Sequence, residues 1–203
     1  MSQYSYRSNS ERGTVRRRAF LNPYSTYIGK EVGGMQKGEI LGSLYSWGTD
    51  QFGQLGLEYF ITNKQMGAMQ SLKILHPRLL VPLKDELIKE VCCGHAHTLA
   101  INQFGQMYSW GSNDSGQLGI GPEGIPDIVR KPVLNTHLSN VAKLAAGHEH
   151  SLALTKTQDL YVWGCGSLTG LDVDQNVCIP TYLDFFSKAR SKSKLTSMNN
   201  KIN

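Results

Sequence analysis

The chain has 203 residues, of which 40% are hydrophobic, and a formal net charge of +5. This composition predicts one globular domain, with or without tails, and excludes wholesale disorder. No run approaches the roughly 18 apolar residues of a transmembrane helix, and the start, MSQYSYRSNSERGTVRRRAF, has no apolar stretch of the signal-peptide type. We therefore expect an intracellular protein without a membrane span. The four cysteines form no CxxC pair and no disulfide framework, which is typical of a reducing compartment.

The charge is unevenly distributed along the chain. Residues 1–39 hold seven Lys/Arg and three Asp/Glu, residues 40–186 hold nine and thirteen, and residues 187–203 hold five and none. We therefore predict a basic extended N-terminal arm (1–39), a mildly acidic domain (40–186) and a basic C-terminal tail (187–203). Such arms attract acidic partners, and solvated disordered ends would have the same composition. The candidate partner-binding residues of the two arms are Arg16, Arg17, Arg18, Lys188, Arg190, Lys192 and Lys194.

An internal repeat organises the acidic segment. The run LYSWG, at residues 44–48, returns as MYSWG and then as LYVWG, and its tryptophans, Trp47, Trp110 and Trp163, are 63 and 53 residues apart. These recurrent tryptophans are predicted to be packing residues.

A second motif, Gly-Gln-Leu-Gly, follows the first two tryptophans. Its glycines are Gly53 and Gly56, then Gly116 and Gly119, and the third copy is degraded to GSLTGL at residues 166–171. Glycines at fixed places in a turn permit a positive φ, so their recurrence needs no bound ligand to explain it.

Short runs bounded by Gly, Asn, Asp and Pro predict strands rather than helices. The predicted strands are 44–48, 76–83, 91–94, 97–101, 107–111, 131–134, 141–147, 150–154, 160–164 and 178–183. Four short strands recurring about every 50 residues are typical of a β-propeller blade. We predict an all-β fold, an incomplete β-propeller of about two and a half four-stranded blades, since a closed ring takes at least about four.

The runs LYSWGTDQFGQLGL, VCCGHAHTLAINQFGQMYSWGSNDSGQLGIG and LAAGHEHSLALTKTQDLYVWG resemble repeats of the regulator of chromosome condensation family. The resemblance covers residues 40 to about 183. It implies strands that belong to a propeller, in which the histidine before Ser or Thr is a recurrent blade residue. This role carries over to His97 and to His150.

Two Gly-His-x-His tetrads invite a metal-site interpretation. They contain His95 with His97 and His148 with His150. Zinc needs about four converging ligands, and copies in neighbouring blades are separated by the width of a blade. We therefore favour structural hydrogen bonding for His97 and His150, and we expect no metal and no cofactor. The tasks of His95 and His148 stay open.

The first repeat is longer than the second, and the additional residues lie in 57–73. Lengthened loops in repeat arrays often carry binding sites. Tyr59, Phe60, Met66 and Met69 are therefore candidate partner-binding residues, with a loop that folds back on its own blade as the alternative.

No nucleophile with a matched base and no phosphate-binding glycine motif is present in the sequence. We predict a non-enzymatic protein-binding module, a structural or scaffold subunit whose open blade edges other chains cover. An acidic surface such as tubulin suits the basic arms, which favours the cytoplasm, cytoskeleton or cilium over the nucleus; nucleic acid is a weaker candidate. The alternative implied by the resemblance is guanine-nucleotide exchange on a Ran-like GTPase with chromatin association. Whether the chain is a fragment of a longer propeller stays open.

Overall fold

The computed structural model describes residues 42–57, 73–121 and 126–185 in full, together with the backbone of three strands before residue 42. The strands are β1 (Tyr4–Arg7), β2 (Arg16–Leu21), β3 (Tyr27–Glu31), β4 (Leu44–Thr49), β5 (Lys73–Leu79), β6 (Ile88–Cys93), β7 (His97–Asn102), β8 (Met107–Ser112), β9 (Ile128–Leu134), β10 (Val141–Ala146), β11 (His150–Thr155), β12 (Leu160–Gly164) and β13 (Val177–Tyr182). A 3-10 turn spans Val81–Leu83 and a short helix, α1, spans Gly166–Thr169. Within the described ranges, no helix is long and apolar enough to cross a membrane.

The strands form three antiparallel sheets in which neighbours in sequence are neighbours in space. The first sheet has the order β1-β2-β3-β4-β5, the second β6-β7-β8-β9 and the third β10-β11-β12-β13. We call them the first, second and third blades, because a four-stranded meander is the unit of a propeller; the first blade has a fifth strand, β1, at its edge. The predicted all-β, partial-propeller class is confirmed, but the number of sheets is three rather than two and a half.

The difference lies at the start of the chain, where sequence analysis predicts an extended arm. Strand β3 pairs with β4, placing Tyr27 opposite Trp47, and β2 pairs with β3, placing Ala19 opposite Gly29. Without these strands one edge of β4 would leave its backbone N–H and C=O groups unpaired. Part of the predicted arm therefore fills the half of the first blade that the repeat lacks.

The strand that contains the Trp-Gly motif in each blade (β4, β8 and β12) has an irregularity at the glycine after tryptophan. Gly48, Gly111 and Gly164 have φ of +113°, +108° and +110°, and the pairing with the next strand shifts register there. A Cβ on Gly111 would lie 2.5 Å from the carbonyl oxygen of Ala96. Glycine therefore allows both the backbone conformation and the close approach of the neighbouring loop.

The last strand of each blade contains a proline, at Pro77, Pro132 and Pro180. These strands lie at the sheet edge, where the missing N–H of proline is tolerated. The predicted strand 76–83 is too long, because the strand ends at Leu79 and the proline-containing residues Val81–Leu83 form a 3-10 turn.

The hydrophobic cores lie between blades. The core between the first and second blades contains Leu44, Leu80, Leu83, Ile88, Val91, Cys93, Ala100, Tyr108 and Trp110. The core between the second and third contains Leu99, Ile101, Met107, Leu138, Val141, Ala153 and Trp163. The second blade therefore has a leading face, packed on the first blade, and a trailing face, packed on the third. We use the same two names for the equivalent faces of the other two blades.

Candidate functional site

The joint between the first and second blades is centred on one main-chain carbonyl, that of Gln54. It accepts hydrogen bonds from Thr98 Oγ1 at 3.1 Å and from Trp110 Nε1 at 2.9 Å. Both donors are fully buried, so these bonds satisfy polar groups that would otherwise be costly to bury. The side chain of Gln54 shapes the turn, because its Oε1 accepts from the backbone N–H of Phe52 at 2.8 Å.

The same joint recurs between the second and third blades. The carbonyl of Gln117 accepts from Ser151 Oγ at 2.8 Å and from Trp163 Nε1 at 2.9 Å. The side-chain Oε1 of Gln117 accepts from Ser115 N at 2.9 Å. Trp163 is fully buried, whereas Trp47 of the first blade is half-buried. The Gln-Leu-Gly turn and the next tryptophan thus form one inter-blade unit.

The glycines of these two turns all adopt left-handed backbone. Their φ values are +74° for Gly53, +69° for Gly56, +74° for Gly116 and +68° for Gly119. A Cβ on Gly119 would lie 2.7 Å from Trp163 Nε1, and one on Gly116 would lie 2.9 Å from Cys178 Sγ. Both glycines are therefore required by conformation and by the close approach of the next blade.

His97 adds a second link across the same interface. Its Nε2 lies 2.8 Å from Ser151 Oγ, and that hydroxyl donates its single proton to the carbonyl of Gln117. The serine must then accept from the imidazole, which makes His97 the neutral tautomer with its proton on Nε2. The ring packs directly on Gly94, where a Cβ would collide with it.

The environment of His97 disfavours its charged form. The side chain is fully buried, and Nδ1 has no hydrogen-bond partner. Burial, followed by the neighbouring His150, lowers the pKa of His97 to about 3. A proton added at Nδ1 would be buried without an acceptor, so His97 is a fixed structural donor at neutral pH.

The two remaining histidines of the tetrads stack across the interface. The ring centroids of His95 and His148 are 3.6 Å apart with an interplanar angle of 29°. Nδ1 of His148 lies 3.3 Å from Glu149 Oε1. Burial and the neighbouring His148 lower the pKa of His95. Sequence analysis left both residues without a task, because the repeat gives them equivalent positions but not the distance between neighbouring blades.

Two charged contacts also join neighbouring blades. Glu90 accepts from Lys143 Nζ at 3.2 Å through one oxygen and from Leu144 N at 3.0 Å through the other. Arg130 Nη1 lies 3.8 Å from Asp50 Oδ2. Burial raises the pKa of Asp50 despite this arginine. The Glu90 contact satisfies a backbone N–H of β10, so it does more than pair two charges.

Within the described ranges, no three His, Cys, Asp or Glu side chains converge as a metal site requires. All four cysteines are free thiols. Burial raises the pKa of Cys92 to about 11 and that of Cys93 to about 12, which keeps both thiols protonated at neutral pH and removes their nucleophilic form.

Most of the predicted partner-binding residues lie in parts of the chain that the structure does not describe. Tyr59, Phe60, Met66 and Met69 lie outside the described residues, as do Lys188, Arg190, Lys192 and Lys194. The backbone of Arg16, Arg17 and Arg18 belongs to β2. Their role in binding stays a prediction.

The trailing face of the third blade is an apolar surface whose residues sequence analysis did not identify. In the second blade this face carries His97, Leu99, Ile101 and Met107, all 0% exposed beneath the third blade. At the same repeat positions the third blade carries His150, Leu152, Leu154 and Leu160, all half-buried. The strand register supports the equivalence, since Ile101 is opposite Met107 as Leu154 is opposite Leu160.

Comparison with known proteins identifies the repeat. The sequence model described as the regulator of chromosome condensation (RCC1) repeat matches residues 42–101 and 105–154. The chain belongs to this family. A second model with the same description matches residues 88–117 and 141–168, so both Gly-His-x-His tetrads lie inside recognised RCC1 repeats.

Curated RCC1-repeat relatives are much longer proteins. The mouse X-linked retinitis pigmentosa GTPase regulator is 35% identical over 139 residues, covering 68% of this chain and 13% of that protein. The fission yeast protein pim1 is 30% identical over 154 residues, covering 69% and 28%. The ultraviolet-B receptor UVR8 of Arabidopsis thaliana is 34% identical over 123 residues, covering 61% and 25%. The match thus spans less than a third of each of these relatives.

Solved structures support the fold. Prp20p from Saccharomyces cerevisiae, described with its binding to Gsp1p and histones, has a TM-score of 0.61 at 19% identity and covers 86% of this chain and 51% of that one. Yeast RCC1 (Prp20) bound to Kap60 has a TM-score of 0.60 at 18% identity. At such identities the likeness concerns architecture alone.

Proposed function

We propose that the chain is a non-enzymatic protein-binding module, a structural or scaffold subunit of a larger assembly. The observation that carries the proposal is the half-buried trailing face of the third blade. It has the residue types of an inter-blade core, Leu152, Leu154 and Leu160, without the burial that Leu99, Ile101 and Met107 have. Contiguous apolar surface of this kind marks an interaction site.

Features around this face support the same proposal. Ile179 and Tyr182 of the edge strand β13 are 43% and 41% exposed, and Phe185, just beyond it, is 73% exposed. An exposed edge strand presents unpaired backbone groups that another polypeptide can satisfy. Apolar side chains and an open strand edge at one end of the array suit a protein partner better than a small polar ligand.

The test is capture of proteins by the immobilised chain, compared between wild type, Leu152→Glu and Lys156→Glu. Lys156 is exposed in the turn between β11 and β12, so its charge reversal is a matched control in the same blade. We expect wild type and Lys156→Glu to retain the same protein about tenfold more strongly than Leu152→Glu does, a difference of about 1.4 kcal/mol. Equal retention by all three would contradict the proposal.

Guanine-nucleotide exchange on a Ran-like GTPase is a second candidate. It is favoured by the similarity to Candida albicans RCC1, which is 30% identical over 63% of this chain, and by the fold shared with Prp20p. The measurement is release of labelled GDP from such a GTPase at micromolar concentrations of this chain. A rate equal to intrinsic release would remove this candidate.

Binding to an acidic polymer such as a microtubule is a narrower form of the first proposal. Its motive is the charge of the chain ends, seven Lys/Arg with three Asp/Glu before residue 40 and five with none after residue 186. This function would suit the cytoplasm, cytoskeleton or cilium. The amount of this chain that co-sediments with microtubules should fall when residues 187–203 are removed, and it should fall as the salt concentration increases. An amount that changes with neither would contradict this form of the proposal.

A further inference from the structure

The loops of the two Gly-His-x-His tetrads join the second and third blades at one end of their interface. His95 N, in the loop between β6 and β7, donates at 3.2 Å to the carbonyl of Gly147, in the loop between β10 and β11. A Cβ on Gly94 would lie 2.7 Å from the same carbonyl oxygen. The two backbones are therefore in direct contact, and above them the rings of His95 and His148 stack with centroids 3.6 Å apart.

We propose that the stacked pair of His95 and His148 is a pH-sensitive contact between the second and third blades. The contact is closed while no more than one of the two imidazoles is charged, and charging of the second opens it. Histidine is suited to this task because its charge ordinarily changes near neutral pH. The proposed role concerns the interior of the array and is independent of the protein-binding function.

The spacing of the rings makes a doubly charged pair unfavourable. At 3.6 Å the rings are in van der Waals contact, which leaves no room for water between them. Two unit charges at about this distance repel enough to change an equilibrium about fivefold even at the dielectric constant of water. Because the bond from His95 N to Gly147 ties the loops together, the repulsion is relieved when the rings turn apart or the loops separate.

The carboxylate of Glu149 balances one of these charges. Its Oε1 lies 3.3 Å from Nδ1 of His148, and its Oε2 accepts from Ser115 Oγ of the second blade at 3.4 Å. Burial and His148 lower the pKa of His95, whereas Glu149 raises it. One negative charge therefore faces two imidazoles, which suffices for one imidazolium and not for two.

Asp114, His97 and His150 also lie at this end of the interface, and none of the three supplies a second countercharge. Asp114 accepts from Ser112 Oγ at 2.6 Å and from Gln117 Nε2 at 2.9 Å, so its carboxylate is already engaged. Burial lowers the pKa of both His97 and His150, so these two rings resist protonation. The charge of the contact is thus decided by the stacked pair and Glu149.

The test is hydrogen exchange of the His95 N–H, because this group makes the bond to Gly147. Its protection factor, the exchange rate relative to that of an unprotected amide at the same pH, reports opening of the contact. We expect wild type to lose protection about fivefold or more between pH 7.5 and pH 5. His148→Phe keeps an aromatic ring without a charge and should retain its protection, whereas Glu149→Gln should lose more than wild type.

The ring signals of the histidines, followed by NMR over the same pH range, provide a second readout. The titration midpoint of His95 should rise in His148→Phe and fall in Glu149→Gln, since His148 lowers its pKa and Glu149 raises it. His137→Gln is the matched control, because His137 is exposed and lies beyond the opposite end of β10. This variant should behave as wild type does, and circular dichroism verifies that each protein is folded.

Protection of the wild-type His95 N–H that is unchanged at pH 5 would overturn the proposal. An equal loss in His148→Phe would also overturn it, because the loss would then belong to another group such as His97. Should acid unfold the whole chain above pH 5, the pH of unfolding replaces the protection factor: it should be higher for wild type than for His148→Phe, and equal values would contradict the proposal. His148→Gln replaces His148→Phe should that variant not fold at neutral pH.

Discussion

Nε2 of His97 and Oγ of Ser151 lie 2.8 Å apart across the interface between the second and third blades. The serine hydroxyl donates its own hydrogen bond to the carbonyl of Gln117, so the histidine must be the donor to the serine. A chain of two hydrogen bonds therefore runs from one blade into the next and back. The order of donors depends on an imidazole that stays neutral.

The first prediction concerns pH. Burial lowers the pKa of His97 to about 3 in the folded state, while the unfolded residue titrates near 6.5. Below pH 6.5 His97 is protonated in the unfolded chain but stays neutral in the folded chain. The free energy of unfolding therefore falls as the pH falls, by about 1.4 kcal/mol per pH unit for this group. Above pH 6.5 both states are neutral and the effect is absent.

Urea unfolding between pH 7 and 4.5 measures this slope for wild type and His97→Gln. The variant should show a shallower dependence than wild type, whatever its stability at pH 7. The same slope in both proteins would mean that His97 is not the buried group described above. Burial also lowers the pKa of His150, so some slope of the same sign should persist in the variant.

The second prediction compares two glycines with the same backbone angle. Gly116 and Gly170 both have a φ of +74°, so alanine at either position has a similar strain of about 1 kcal/mol. At Gly116 the new Cβ would also lie 2.9 Å from Cys178 Sγ and 3.0 Å from Cys178 Cα. We expect Gly116→Ala to lower the free energy of unfolding by about 1–3 kcal/mol more than Gly170→Ala.

Denaturant unfolding of both variants provides the measurement. Equal losses of stability would show that the outer strand containing Cys178 gives way without cost.

A third prediction concerns two donors that share one acceptor. Ser151→Ala and Trp163→Phe each remove one of the two hydrogen bonds to the Gln117 carbonyl. Each single variant leaves the carbonyl with one donor, whereas the double variant leaves it buried with neither. We expect the double variant to lose more stability than the sum of the singles, with a coupling of about 0.5–2 kcal/mol.

A double-mutant cycle by denaturant unfolding measures that coupling. A cycle that closes to zero would indicate that water or a rearranged turn satisfies Gln117. The matched pair Thr98→Ala and Trp110→Phe tests the same arrangement at Gln54.

The fourth prediction separates a backbone contact from an ion pair. Lys143 is 69% exposed in its salt bridge with Glu90, so Lys143→Ala should change the free energy of unfolding by less than about 1 kcal/mol. Glu90→Ala also removes the acceptor of Leu144 N and should cost about 1–3 kcal/mol. High salt should reduce the effect of the lysine variant and leave most of the glutamate effect; a salt-sensitive loss in both would reverse this assignment.

Sequence periodicity predicted the strands that carry the Trp-Gly motif to within about one residue, because aromatic and glycine residues recur there in every copy. Strand β4, for example, spans Leu44–Thr49 against a prediction of 44–48. The pairing of Arg16–Leu21 and Tyr27–Glu31 with the first blade was not predicted, because neither run repeats a motif and the first contains three consecutive arginines. Their place in the sheet is set by the edge they cover rather than by their own pattern.

The inter-blade joints were harder to predict for a different reason. Their acceptors are main-chain carbonyls at Gln54 and Gln117, and a carbonyl has no residue-type signature. The stack of His95 on His148 depends on the lateral distance between blades, which a repeat period does not provide. A recurrent residue shows that a position matters; the distance between copies shows what it contacts.

The separation in sequence between the Gln54 carbonyl and its donors also determines when this joint can form during synthesis. Thr98 and Trp110 follow Gln54 by 44 and 56 residues. At roughly 5–20 residues per second, a ribosome adds the tryptophan about 3–11 s after the glutamine. The Gly-Gln-Leu-Gly turns of the first and second blades can therefore form these hydrogen bonds only after most of the next repeat has been translated. The joints between blades can consequently form only in order from the N-terminus to the C-terminus, about one repeat behind the growing end of the nascent chain.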